Sequence, residues 1–332
     1  MVKYIIKRLL LAVFILVGVS IILYFFVRMM PLNAIENKFY ELRGGGHSEA
    51  DEAELQAMLE RYNLADKSFW GIVKGWWQWI INFFAGDMGN SFQEKQPVGR
   101  IIFENMGISF SISLISLILE MLIAIPLGIK CACNQYGKLD YAATVLTMIG
   151  ISFPTFFFGK LVIKFFAVDL GWFPANGLTT ANATFVGWDK FVDIVRHIVL
   201  PLFVLTVLSI GSLMRYTRTN TLEVLNADYI RTARAKGLSE NKVVYKHVFR
   251  NTMIPLVTVL ASTLPGLFGG AMITETIFDI PGIGSTAYKL MSAGDVPFIM
   301  AYNMFIAVLT VIGILLADIM YAVVDPRVKI GK

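Results

Sequence analysis

The sequence predicts an all-α polytopic membrane protein with six transmembrane helices. Three observations lead there. Apolar residues make up 56% of the 332 residues and charged residues only 16%, against roughly 25% charged in an average globular domain. Six apolar runs, at 9–27, 108–129, 141–166, 198–214, 253–273 and 298–324, approach or exceed the roughly 20 residues a crossing helix needs. The alternating pattern of barrel strands is absent from them, and lipid admits only helices or closed barrels. This composition, with a mean hydropathy of +0.64, excludes a disordered chain, a coiled coil and an ordinary cytosolic enzyme. Two cysteines exclude a disulfide framework.

The elements follow in order. Residues 1–27 form a basic tip and the first helix. That run is longer than a signal-peptide core and no small-x-small cleavage site follows it, so it reads as a retained span. Residues 28–107 form a long outer segment. In it, Ser48 followed by Asp51 reads as a capping box, and Leu55, Met58, Leu59 and Tyr62 share one helix face. The aromatic stretch Phe69–Phe84 is expected along the outer surface, either as a packed lid or as a contact element. Residues 108–324 hold the remaining spans and a long inner loop at 215–252, and 325–332 form an inner tail.

Charge sets the orientation, with both termini cytoplasmic. The inner segments then carry 16 of the 29 basic residues and five acids, whereas residues 31–105 hold seven basic residues and eleven acids. All six tryptophans (Trp70, Trp76, Trp77, Trp79, Trp172, Trp188) fall in outer segments, as an interfacial belt would. The basic pI near 9.1 therefore describes one membrane face, with lipid as its neighbour and no nucleic acid as partner.

The loop at 215–252 carries eight basic residues and three acids, and at its middle stands Asp228-Tyr-Ile-Arg-Thr-Ala-Arg-Ala-Lys-Gly237. Asp228 is placed to cap a helix and Gly237 to end it. A helix of about eight residues is marginal alone in water, so this one requires a partner surface. On spacing alone, a basic loop that only fixes topology explains the pattern equally well.

Arg231-Thr-Ala-Arg-Ala-Lys-Gly-Leu238 followed by Arg250-Asn-Thr-Met-Ile-Pro255 resembles the coupling loop of ABC-transporter permeases, most nearly the B-type subunit of the dipeptide, oligopeptide and nickel branch. Further stretches agree in order and spacing: Gly86-Asp-Met-Gly-Asn-Ser-Phe92, Pro97-Val98, Ile151-Ser-Phe-Pro-Thr-Phe156, Leu170-Gly-Trp-Phe-Pro174, His197-Ile-Val-Leu-Pro201, Glu275-Thr-Ile-Phe-Asp-Ile-Pro-Gly-Ile-Gly284, Asp318-x-x-Tyr321 and Asp325-Pro-Arg327. The broad permease pattern has Glu-Ala-Ala where this chain has Arg231-Thr232-Ala233, so a salt bridge made by that acid does not transfer.

The resemblance implies a type I ABC importer architecture and a non-catalytic permease subunit. Its implied partners are a second similar permease, two ATPase subunits and an extracellular substrate-binding protein, with di- or oligopeptide as cargo. It places Asp228, Arg231, Thr232, Ala233, Arg234, Ala235, Lys236, Gly237 and Leu238 at the ATPase contact, with Ala233 and Ala235 allowing close approach. No G-x-x-x-x-G-K-[ST] loop occurs in the sequence, so no cofactor is expected in this chain; ATP and Mg belong to the partner ATPases. Nickel import is the alternative within the branch, and an ion-coupled secondary carrier or a membrane scaffold the alternative outside it.

A peptide path needs a polar face inside the bundle. Ser109, Ser113, Ser116 and Glu120 fall within an arc of roughly 60° on one helix. They read either as that face or as a close-packed seam with a hydrogen-bonded glutamate. Pro154 and Pro265 permit kinks. Ser262, Gly266 and Gly270 suit tight helix packing. Glu275 and Asp279 are expected at an outer loop, either touching a delivery protein or solvated.

Overall fold

The computed structural model describes residues 2–44, 48–64, 66 and 68–324. The inner tail with Asp325-Pro-Arg327, and His47, lie outside the described residues. Among the described residues the secondary structure is helical, apart from one isolated bridge between Asn90 and Pro97. Five helices are long and apolar enough to cross a membrane, and a sixth crossing exists if one bent pair counts as a span. The all-α polytopic class expected from the sequence is the class observed.

The first span belongs to α1 (Val2–Met29). Helices α2 (Leu32–Leu42), α3 (Glu49–Arg61) and α4 (Phe69–Phe84) then build the outer segment. Ser48 caps α3 by accepting from Asp51 N at 3.1 Å. The reciprocal half of a capping box is replaced by Ser48 Oγ donating to the Asp51 carboxylate at 2.6 Å. Leu55, Met58 and Tyr62 are buried with Leu59 packed beside them, the face the spacing predicts. They join Phe39, Phe92 and Phe298 in one core that spans the outer segment and the start of the last helix. Trp79 is in that core at 3% exposure, whereas Trp70, Trp77, Trp172 and Trp188 are exposed; the tryptophans are thus divided between core and surface.

The bundle is centred on α5 (Val98–Cys133) and α8 (Gly187–Leu225), which run side by side in the same direction. Small residues let them close up. A Cβ on Gly128 would stand 2.7 Å from Met214 O and 2.8 Å from Thr217 Cβ, and Ser116 Oγ meets Thr206 Oγ1 at 3.4 Å. Between them in sequence run α6 (Lys138–Ser152) and α7 (Thr155–Val162), the latter continuing as a π-helix over Ile163–Asp169. The expected single span at 141–166 is instead broken by 103°. The reason is local: Pro154 has no N–H to donate and disfavours helical geometry in the residue before it, and Phe153 is extended with ψ 128°.

At the basic end α6 is fixed to α8 by a bidentate pair. Arg218 Nε and Nη2 donate to the two Asp140 oxygens at 2.6 and 2.7 Å, and Tyr136 N donates to the same carboxylate at 2.9 Å. This planar match of guanidinium and carboxylate is the strong form of the contact.

The chain then passes through α9 (Asp228–Ala235) and the short α10 (Glu240–Lys242), whose turn runs as a π-helix over Val243–Val248 into α11 (Phe249–Gly269). Helices α12 (Met272–Ile277) and α13 (Ile283–Ala293) lead to α14 (Val296–Val324), which packs antiparallel to α11 and carries α1 on its other side. Tyr302 Oη donates to Gly269 O at 2.9 Å, and Arg8 pairs with Asp318 at 3.0 Å across α1 and α14. Buried Asp295 caps α14 through Phe298 N and holds the loop before α5 through Ser91 Oγ at 2.6 Å and Gln93 N at 3.1 Å.

Candidate functional site

Helix α8 ends at Leu225, and after Asn226 and Ala227 the chain re-enters a helix as α9. Ala227 occupies the cap position, and Asp228 is the first helical residue with no side-chain cap bond. The expected capping role of Asp228 is therefore corrected: its carboxylate is almost fully exposed and lies 3.5 Å from Arg231 Nη1. Acid in the first turn still opposes the helix dipole favourably. The other end is as the sequence predicts. Gly237 has φ +75°, a left-handed position that glycine takes without steric cost, and its N–H donates to Arg234 O at 2.9 Å.

What supports so short a helix is a small core of its own. Ile230 is fully buried and Ala233 is 7% exposed. Both pack with Val243 and Val248, and with Val224, Leu225 and Leu238 around them. That core joins the last turn of α8 to the π-helical turn that opens α11. The spacing of Ile230 and Ala233 puts both on the inward stripe of α9. Of the two alanines expected to allow close backbone approach, Ala233 turns its methyl to this chain's own core and Ala235 is exposed. The outward side carries Asp228, Tyr229, Arg231, Thr232, Arg234, Ala235 and Lys236, all exposed, with Gly237 exposed beyond them and Leu238 half-buried. Tyr229, 49% exposed, is an aromatic in a polar surround that the motif alone did not single out.

The bend between α9 and α10 is closed by a second device. Arg234 Nε and Nη2 donate to the Glu240 carboxylate at 3.1 and 2.7 Å. The hydrogen bonds from Arg234 hold the Glu240 carboxyl below the usual glutamate range. A depressed folded-state pKa gives stability that is present above the unfolded value and lost as pH falls through the folded one. Acidification from pH 6 to about 3 is therefore expected to raise hydrogen exchange at the Gly237 and Leu238 amides beyond the intrinsic pH effect. In Glu240→Gln that excess should vanish; an equal excess in the variant would discount the pair.

The four candidate path residues are divided by the structure. Ser109 is fully buried, and its Oγ accepts from Ile283 N at 2.8 Å. Ser116 is buried against Thr206. Ser113 and Glu120 are half-buried, and among the described residues Glu120 has no hydrogen bond or ion pair. Ser109 and Ser116 thus lie in a close-packed seam, and the hydrogen bond that the seam reading gives Glu120 is not seen among the described residues. Lys164 pairs with Asp169 at 2.8 Å, away from Glu120.

Glu275 corrects a different expectation. It is 1% exposed, not a loop acid open to a delivery protein. Its Oε1 accepts from Ala271 N at 2.9 Å and its Oε2 from Ser285 N at 3.0 Å. One carboxylate thus sits at the N-termini of both α12 and α13, where two helix dipoles favour an anion. Gly270, Gly282 and Gly284 surround it so closely that a Cβ on any of them would overlap the carboxylate or its neighbours.

Fold and site together define a multi-pass, all-helical membrane protein with a short polar helix held off the bundle on its own hydrophobic base. Residues 124–330 match the family model described as "Binding-protein-dependent transport system inner membrane component". The chain belongs to this family, the membrane components of ABC transport systems. It is 37% identical over 330 residues to the oligopeptide transport system permease protein AppB of Bacillus subtilis (strain 168), covering 99% of this chain and 100% of that one. A putative peptide permease protein of Brucella suis biovar 1 is 32% identical with the same coverage. The dipeptide transport system permease protein DppB of Alkalihalophilus pseudofirmus is 29% identical over 343 residues, covering 99% and 100%. Among solved structures, inward-facing MetNI methionine ABC transporter matches with a TM-score of 0.48 and 18% identity, over 68% of this chain and 96% of that one.

Proposed function

We propose that this chain is the permease subunit of an ATP-driven importer that takes di- or oligopeptides from an external binding protein, and that α9 is its contact with an ATPase subunit. The observation that carries the reading is the construction of α9: one face anchored to α8 and α11, the other bare and polar. A partner that grips the bare face and moves it must move the ends of two spans. Arg231 and Lys236 supply cations for the rim of that contact, and Tyr229 its aromatic centre. With α9 facing the cytosol, both termini are cytoplasmic. The relatives' peptide names support the cargo.

The chain works with a second, similar permease, two ATPase subunits and the binding protein. ATP and Mg reside on the ATPases, and this chain performs no catalysis. We place Glu120 and Ser113 on the wall of the path, and Ser109 and Ser116 in the seams that fix α5 against its neighbours. An unpaired acid at this depth is costly unless it meets water or cargo.

Reconstitution of the assembly in vesicles tests the reading: labelled tripeptide should accumulate only with ATP inside the ATPase-bearing compartment. Uptake without ATP would replace it with an ion-coupled carrier. In the same assay Glu120→Gln is expected to slow uptake roughly tenfold, equivalent to about 1.4 kcal/mol, with ATPase subunits still bound. Wild-type uptake by that variant removes Glu120 from the path.

A further inference from the structure

Helix α4 is placed in sequence between two outer-segment loops, yet it packs along a membrane span. Arg28, near the end of α1, donates to the carbonyls of Asn63 and Asp66. One turn back, Tyr24 Oη donates to Tyr62 O at 2.6 Å and its ring stacks on Trp79 at 6.3 Å. Gly75 lies so close that a Cβ there would overlap the Tyr24 hydroxyl. One turn further, Trp76 Nε1 donates to Ser20 Oγ at 3.0 Å. From Ser20 to Met29 the axis of α1 rises about 13 Å, and the span Ile6–Met29 has 24 residues against a hydrocarbon thickness of about 30 Å. The α4 contact therefore reaches well below the headgroup level.

The side of α4 turned from α1 is apolar. Trp70, Val73, Trp77, Ile81 and Phe84 are exposed, Trp70 at 77% and Trp77 at 57%, on an arc of roughly 80°. Beside that arc, Lys74, Gln78 and Asn82 form a polar edge. The apolar arc is continuous in character with the exposed Ile21, Ile22, Phe25 and Phe26 of α1. At the same level a cavity of ≈ 590 Å³ is lined by Phe25, Met29, Leu32, Leu64 and Ile72 around Arg28.

We propose that α4 is an interfacial helix immersed in the lipid leaflet at the Met29 end of α1, with its Trp70–Phe84 arc against acyl chains and Lys74, Gln78 and Asn82 toward headgroups. The occupant of the apolar arc is lipid, because the span that carries α4 is itself lipid-facing at the same depth. An apolar face with a polar edge is what holds a helix in that plane, and tryptophan is suited to it. The cavity beside Arg28 is open to an acyl chain of the same leaflet.

The test uses the full chain in phospholipid vesicles, with Cys131 and Cys133 replaced by alanine and single bimane-labelled cysteines at Val73, Trp77 or Ile81, and at Lys74 or Gln78 for contrast. All five sites are exposed, so labels there leave the packed face of α4 alone. Nitroxide on lipid acyl chains should quench positions 73, 77 and 81 strongly and aqueous iodide weakly, with the order reversed at 74 and 78. Iodide quenching at the first three sites would make the face solvent-exposed and overturn the proposal. Protection from both quenchers would mean a protein covers it, with the same consequence.

Discussion

Ile230→Asp is expected to abolish ATP-dependent uptake and co-purification of the ATPase subunit, while the chain remains in the membrane at its normal level. Ile230 is fully buried in the core beneath α9. Leaving a polar group unpaired in such a site costs about 1–3 kcal/mol, and an ionised carboxylate far more. A helix of eight residues has no reserve against that loss, because it forms only while something holds its inward stripe. The aspartate escapes to water only if α9 lifts away from Val243 and Val248, which unties the bare face from α8 and α11. The spans gain no charge, so insertion is untouched. Ile230→Val removes one methylene and costs about 1 kcal/mol; it should retain most of the uptake. The pair is measured by vesicle uptake and by recovery of the ATPase on a tagged permease. Full uptake with Ile230→Asp would show that α9 works without its base.

Much of this architecture is legible in the sequence because lipid imposes few solutions. The apolar runs gave the helices, though not their lengths: the fourth run, at 198–214, is the middle of Gly187–Leu225, whose polar ends extend past the hydrocarbon. Gly237 marked the end of α9 because only the backbone decides a left-handed position. What the sequence hides is which polar atoms meet. Asp140 reads as one more inner acid, yet it is 3% exposed against Arg218, 78 positions away. Ile230 and Ala233 look like ordinary members of a basic motif, though their spacing is the signal that they face inward. The serines of α5 share an arc, but an arc does not say whether it faces a neighbouring helix or a path; Ser109 reaches Ile283, and Glu120 has no hydrogen bond or ion pair among the described residues.

Glu275→Ala should lower the melting temperature of the detergent-solubilised chain by roughly 10 °C, at about 2–4 °C per kcal/mol for a protein of this size. Among the described residues the carboxylate is the one side-chain acceptor for Ala271 N and Ser285 N, and orphaning a part-buried N–H costs up to about 1–3 kcal/mol each. Among the described residues no cationic side chain pairs with it. Its two oxygens are held by the N-termini of α12 and α13 and enclosed by the close backbone at Gly270, Gly282 and Gly284. The same knot leans on Ser109, since a Cβ on Gly282 would collide with both the Glu275 carboxylate and Ser109 Oγ. Gly282→Ala is therefore expected to act in the same direction, by strain instead of by lost bonds. Glu275→Gln keeps one acceptor oxygen but turns an NH₂ toward an N–H, so it should fall between wild type and alanine. The order wild type, glutamine, alanine follows only if the oxygens are the fastening. If alanine melts within about 2 °C of wild type, less than the loss of one such bond, then α12 and α13 are held by their apolar packing on α5 and α7, and the buried acid is free to serve another purpose.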